Sequence, residues 1–215
     1  AYSAATIGRI IHKFNLYFRR ITKLRKQRSK RAKQAWKLRK PYGLTTTKPH
    51  HLIEFDMKHI RTNSNTNYAF VAVDVVTKQS VIHVARRPSS YNARIAIEKT
   101  LSVFGNDVMI LNDNGSENMH HVYAYLKEQH VTQYFARPYT PKDKPHVENV
   151  IGKLQLECLD ENPYPTLPSE LQTIIDTWLN DYHYFRPHQA LHYKTPAEFC
   201  ATIGITIPHL KVSTM

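Results

Sequence analysis

The sequence predicts an α/β fold built on a mixed β-sheet. Three observations carry that reading. Three strand-like runs follow one another between residues 51 and 87 with connections too short for crossovers, which makes them an antiparallel meander. Helix-like and strand-like runs then alternate, the pattern of parallel strands joined through helices. The 215 residues, 41% of them hydrophobic, are enough for one medium domain plus an appendage.

In chain order, Ser3-Ala4-Ala5-Thr6 reads as a helix start with Ser3 as N-cap. Ile7, Ile10, Ile11 and Phe14 follow at helical spacing, and Asn15 is a plausible stop. A second helical run carries Phe18, Ile21, Leu24 and Trp36 among Lys and Arg, and should end before Pro41. The Pro, Gly and Thr of "KPYGLTTTKP" suit a linker. The predicted organisation is a basic helical arm over 1–40, a linker over 41–50, a core over 51–200 and a tail over 201–215.

Within the core, "HLIEFDMKHI" alternates Leu52, Glu54 and Asp56 against Ile53, Phe55 and Met57. A polar turn over 61–67 leads to "YAFVAVDVVT" and then "SVIHVARR". Ser89 or Ser90 caps a helix through Ala93, Ile97, Leu101 and Phe104, closed by Gly105. "VMIL" is a short buried strand, followed by a helix at about 118–130 and the strand "VTQYFA". After the Pro-rich loop 138–145, Val147, Ile151, Leu154 and Cys158 form one stripe of a helix, and a last helix covers about 168–184.

Composition narrows the function classes. No run of 18 or more apolar residues exists, and no basic region followed by a long apolar stretch opens the chain. Cys158 and Cys200, with no CxxC pair, argue against a disulfide framework and fit a reducing, cytoplasmic setting. His188 and His192 have helical ligand spacing but lack the Glu of HExxH, which disfavours zinc. The start at Ala1 rather than Met suggests a trimmed chain. Charge is uneven: the formal net charge is +13, yet residues 1–50 hold 15 of the 30 Lys and Arg and no acid, and the remainder is net −2. Such an arm points to phosphates, with affinity that falls steeply with salt.

Four acids stand out: Asp56, Asp74, Asp113 and Glu148. Singly, each has a plain explanation: Asp-Asn-Gly is a common turn, a helix-start Glu complements the macrodipole, and a strand Asp can pair with Lys or Arg. Jointly, if the strands of Asp56 and Asp113 are neighbours and the Glu148 helix crosses above, three carboxylates meet. At about 5 Å spacing they would repel by roughly 3 kcal/mol per pair. Hard oxygens so grouped suit Mg²⁺ or Mn²⁺, and two such ions serve in-line phosphoryl displacement. That reading expects the carboxylates to converge within about 4–8 Å.

These residues resemble the catalytic core of retroviral-type integrases as found in bacterial insertion-sequence transposases, the DDE type. "EFDMKHI" supplies Asp56, "LNDNGSEN" supplies Asp113, and "PYTPKDKPHVENVIGKLQLECL" supplies Glu148, with 34 residues between the last two. "WLNDYHYFRPHQALHYKTPAEF" resembles the family's tail, with His183 where Asn is usual, and "SAATIGRIIHKFNL" is similar to the recognition helix of the preceding helix-turn-helix. His146 stands where many relatives have Gly, and Asn149 where many have Arg. Asp74 matches a strand-2 Asp common in the family but outside its metal ligands.

The resemblance implies a ribonuclease-H-like five-stranded mixed sheet flanked by helices, two Mg²⁺ ions (Mn²⁺ as alternative) on Asp56, Asp113 and Glu148, and cleavage and strand transfer of double-stranded DNA. Arg9, Lys13, Arg19 and Arg20 on the arm, with Lys144, Lys153 and Gln155 around Glu148, are its candidate DNA contacts. Arg186 and His188 could touch DNA or hold the last helix, with the structural role slightly favoured. Self-association on paired element ends and a bacterial, nucleoid-associated setting belong to the same expectation. Two rivals remain open at this point: a non-catalytic DNA-binding remnant, and a metal-dependent nuclease of the same fold.

Overall fold

The computed structural model describes residues 3–14, 37–61, 65–137, 140, 143–161 and 165–210. The chain divides into two compact units, Ala1–Lys37 and Leu38–Met215. In the first, α1 spans Ala4–Lys13; Ser3 caps it by accepting the Thr6 backbone N–H at 3.2 Å, and no residue of the helix is buried. The second helical run of the arm, with Arg19, Arg20 and Trp36, lies outside the described residues.

The second unit is a five-stranded sheet in the order β3-β2-β1-β4-β5. Its strands are β1 (Leu52–Arg61), β2 (Thr66–Asp74), β3 (Ser80–Ala85), β4 (Met109–Asn112) and β5 (Thr132–Phe135). The first three form the antiparallel meander; β4 and β5 join parallel to β1 through helical crossovers. The helices are α2 (Ser90–Phe104), α3 (His121–Glu128), α4 (Pro145–Lys153), α5 (Pro168–Tyr184) and α6 (Pro196–Thr202). Ser89 is the cap of α2, accepting the Asn92 N–H, and Gly105 closes that helix with φ 78°, a conformation that favours glycine.

Each sheet face has its own core. Ile53, Phe55, Phe70 and Ile110 pack against Ala93, Ile97 and Leu101 of α2 and Val122 and Leu126 of α3. On the other face Ala69, Val71 and Val73 meet Val147, Val150 and Leu154 of the α4 segment and Leu171, Ile175 and Leu179 of α5. Burial of one such side chain contributes roughly 1.5–3 kcal/mol. Because both faces are covered, Leu52 to Phe55 are all buried despite their alternating character.

Three details depart from the sequence expectation. Residues 38–40 run beside β5: Phe135 N–H donates to Leu38 O, Lys40 N–H donates to Phe135 O, and Arg39 bridges to Phe135. The expected arm therefore gives its last residues to the edge of the core sheet. The helix predicted over 118–130 splits into a 3₁₀ turn at Ser116–Asn118 and then α3. The helix carrying Glu148 widens into a π-helix over Leu154–Leu159, where Asp160 N–H reaches back five residues to Gln155 O.

Candidate active site

The sheet register organises the site. In the parallel pairing of β1 with β4, Glu54 lies opposite Leu111. Continuing that register by two residues sets Asp56 level with Asp113, just past the end of β4. Both belong to the face on which α4 packs, since side chains alternate along a strand. Asp56 pairs across β2 with Val71, a member of the core beneath α4.

Asp113 is fixed by its own turn. One carboxylate oxygen accepts the Gly115 N–H at 2.9 Å and the Asn118 side-chain amide at 2.6 Å. Asn114 anchors the turn to the far strand: its amide donates to Ala136 O at 2.9 Å, and Arg39 donates to its carbonyl at 2.5 Å. Gly115 has an ordinary φ of −57°. A Cβ there would meet the Glu117 carboxylate, with its nearest oxygen at 1.9 Å. Glu117 is half-buried, and its carboxyl is pushed up first by burial and then by the charges of Asp113 and Asp56. It stands within electrostatic reach of Asp113 and Asp56, and its place in a polar turn gives no signal in the sequence.

Glu54, on the same face of β1 as Asp56, also belongs to the site. It is 2% exposed, and one of its carboxylate oxygens accepts the backbone N–H groups of His146 at 2.8 Å and Val147 at 2.9 Å. These are orphan donors of the first turn of α4, whose N-cap residue Lys144 makes no side-chain cap. Burial pushes the Glu54 carboxyl up to about 7, against the pull of the two N–H groups and of Lys40 and Lys144. The strand carrying Asp56 is thereby tied to the helix carrying Glu148. The alternation of Leu52, Glu54 and Asp56 placed this acid on the site's face and could have flagged it.

Lys144 is the cation of the site. Its Nζ stands 2.8 Å from Asp56, with the lysine side chain 7% and the aspartate side chain 24% exposed. It is a buried partner of a carboxylate here. Lys153 is half-buried with its ammonium 5.9 Å from the Tyr182 ring centroid, and Gln155 donates to Asp160. Arg9 and Lys13 are exposed on α1. Arg186 pairs with Glu157, and His188 is buried, donating its backbone N–H to Lys194 O.

Asp74, the competing strand acid, is fully buried and accepts both the N–H and the hydroxyl of Thr77, so its role is to shape the turn after β2. Glu148 lies in the first turn of α4 and is exposed. Among the described residues no three His, Cys, Asp or Glu side chains come close enough to hold a metal ion together. Asp56 and Asp113 are brought to one level, and the full convergence expected of the trio is not present. The donors themselves are hard oxygens, suited to Mg²⁺ or Mn²⁺, and Asp56 already holds a cation at hydrogen-bond distance.

Comparison with known proteins adds the following. Residues 46–141 match a family model described as "Integrase core domain", and residues 129–196 match a second of the same description. The chain is 30% identical over 154 residues to the insertion element IS407 uncharacterized 31.7 kDa protein of Burkholderia multivorans, covering 69% of this chain and 54% of the relative. It is 26% identical over 141 residues to the insertion element IS476 uncharacterized 39.2 kDa protein of Xanthomonas euvesicatoria, covering 65% and 40%. The chain thus spans about half the length of the curated relatives it matches.

Among solved structures, a chain of the simian T-cell lymphotropic virus intasome in complex with PP2A regulatory subunit B56 gamma aligns with a TM-score of 0.64 at 17% identity, covering 83% of this chain and 64% of that one. The catalytic core domain of BIV integrase aligns at 0.53 and 18% identity, covering 72% and 96%. The trimeric form of the HTLV-2 integrase catalytic core domain in complex with magnesium aligns at 0.52 and 18%, covering 70% and 96%. These likenesses show that the fold is that of retroviral integrase catalytic cores. No helix among the described residues is long and apolar enough to cross a membrane.

Proposed function

We propose that this chain, which belongs to the integrase core domain family, is the catalytic part of a transposase that cuts and joins DNA strands. The observation that carries the reading is the parallel β1–β4 register, which sets Asp56 level with Asp113 on the face covered by the Glu148 helix. In this reading Asp56, Asp113 and Glu148 would hold two Mg²⁺ ions (or Mn²⁺). Bound there, the metal supplies Lewis acidity that activates an attacking oxygen and stabilises the leaving one.

The chain's own residues do the positioning. The turn bonds of Gly115 and Asn118 leave the second Asp113 oxygen for a ligand. Glu54 holds the first turn of α4 against β1. Lys144 pairs with Asp56 and would have to release it to a bound metal. The nucleophile is water for cleavage and a 3′-OH for joining, so no covalent protein–DNA intermediate is required. Arg9 and Lys13, with Arg19 and Arg20 further along the arm, would position double-stranded DNA through its phosphates without reading its sequence. A homo-oligomer acting on paired element ends completes the proposal.

The test is strand cleavage and joining on element-end DNA with Mg²⁺, comparing the parent with Asp113→Asn. Loss of both reactions in the variant is expected; equal activity in the two proteins removes the assignment.

A further inference from the structure

A cleft of about 340 Å³ opens between α4 and the Pro187–Ala190 segment, a part of the molecule that the carboxylate site does not use. Lys78 contributes from the turn after β2, His146, Asn149 and Lys153 from α4, and His188 and Gln189 from the segment beyond α5. No Asp or Glu lines it. We propose that this cleft is a phosphodiester-binding site, in which Lys78, Lys153 and the His188 ring take a backbone phosphate of DNA. The proposal rests on the DNA-joining function inferred above and names a second place on the molecule where the strand is held.

Four features point to an anion. Lys78 occupies a left-handed conformation, φ 62°, where a lysine is strained and glycine or asparagine would be at ease. Its ammonium is held at the cleft wall by Val75 O at 2.5 Å and His146 Nδ1 at 3.1 Å. The ammonium of Lys153 is fixed over the Tyr182 ring, on the opposite side of His146 and Asn149 along α4. Burial destabilises the charge on both lysines, and Lys153 adds to the effect on Lys78.

The fourth feature is His188. Its residue is 6% exposed, its Nε2 has no hydrogen-bond partner, and it lines the cleft. Burial, then the positive fields of Lys153, Arg186 and Lys78, hold the ring neutral, with its pKa pushed down to about 4. The ring's one N–H is engaged by the Tyr182 backbone, so Nε2 donates only when the ring takes up a proton, which a phosphate anion beside it would favour. The same anion would relieve the repulsion between the two lysines. The volume exceeds one phosphate and admits its flanking sugars, but not a duplex, so the cleft would grip one strand from the side. This use accounts for His146 and the RPHQAL segment, which the carboxylates leave unexplained.

The test is NMR of isotope-labelled histidine rings in the full chain, with EDTA present so that no cleavage occurs. A short DNA duplex and inorganic phosphate are the two probes. A saturable shift of the His188 ring with duplex is expected, lost in the Lys78→Gln/Lys153→Gln variant and retained in Lys78→Arg/Lys153→Arg. In parallel, the slope of log binding constant against log salt should fall by about 1 to 2 in the glutamine variant.

A His188 ring unmoved by duplex, or moved by inorganic phosphate alone, overturns the proposal, as does a salt slope unchanged in the glutamine variant. The functional reading fails separately. An unmoved His188 with cleavage abolished by Asp113→Asn removes only the cleft; a shifted His188 with Asp113→Asn fully active removes only the carboxylate assignment.

Discussion

Lys144 Nζ lies 2.8 Å from Asp56 Oδ2 at the point where β1 passes beneath the start of α4. An ammonium therefore neutralises the carboxylate that a divalent cation would share, in a neighbourhood that also holds the charges of Asp113 and Glu117. Lys144→Met would leave Asp56 without its cation. The metal-free variant should lose about 1–3 kcal/mol, less than a fully buried pair because Asp56 is partly exposed. Added Mg²⁺ should raise the Tm of the variant more than that of the parent. Equal Mg²⁺-induced shifts in the two proteins would show that Lys144 is no surrogate for the metal.

Glu54 acts on the same helix from below. Glu54→Leu removes the acceptor for the His146 and Val147 N–H groups and strands the one half-buried and the other buried. A loss of about 1–3 kcal/mol follows from the unsatisfied donors. Glu54→Gln keeps a carbonyl acceptor and should stay close to the parent. Amide exchange reads the cause: the His146 and Val147 amides should exchange faster in the leucine variant than in the glutamine variant. Equal protection in both would mean that the first turn of α4 does not depend on Glu54.

Strands and helices were legible in the sequence wherever a local period decides them. Val147, Leu154 and Cys158 face the core because their spacing is helical, and Ser89 and Gly105 bound α2 because their local chemistry does. The order and context of Asp56 and Asp113 single them out as candidates. Features set by long-range packing were not legible. The pairing of Leu38 and Lys40 with Phe135 is main-chain bonding that composition does not encode. The π-helical turn at Leu154–Leu159 has no signature in the apolar spacing, and its Leu154, Cys158 and Leu159 lie in the core. The pairing of Lys144 with Asp56 and the approach of Glu117 to Asp113 and Asp56 come from segments distant in sequence or from the fold of a turn.

That turn gives a further prediction. A Cβ at Gly115 would collide with the Glu117 carboxylate, the free end of a flexible side chain. Gly115 has φ −57°, so alanine is compatible with its backbone. Gly115→Ala should therefore change stability by no more than about 1 kcal/mol while displacing Glu117 from the neighbourhood of Asp113. If Glu117 supports the site, the Mg²⁺ concentration needed for half-maximal cleavage should rise in Gly115→Ala and in Glu117→Ala alike. An unchanged Mg²⁺ requirement in both would restrict Glu117 to the turn.

His183, standing where the resembling family commonly has Asn, carries a pH dependence with a definite sign. Its Nε2 accepts the Ser80 backbone N–H at 2.9 Å, which pins α5 to β3 and requires a neutral ring. Burial, with a smaller contribution from His188, pushes its pKa down to about 3 from 6.5. Between those values the unfolded chain binds more protons than the folded one. The stabilisation is thus complete above about pH 6.5 and is lost as pH falls toward 3, by about 2 kcal/mol on reaching pH 5. His83, His146 and His188 are depressed in the same direction, so the whole chain should be acid-sensitive. Comparison with His183→Asn isolates one residue, because asparagine offers an acceptor for the Ser80 N–H that does not titrate. Urea unfolding of both proteins at about pH 7.5 and pH 5 should show the difference shifting toward the asparagine variant by about 2 kcal/mol at the lower pH. Parallel pH curves for the two proteins would mean that the His183 ring is protonated in the folded state without cost, and that its bond to Ser80 does not hold α5 in place.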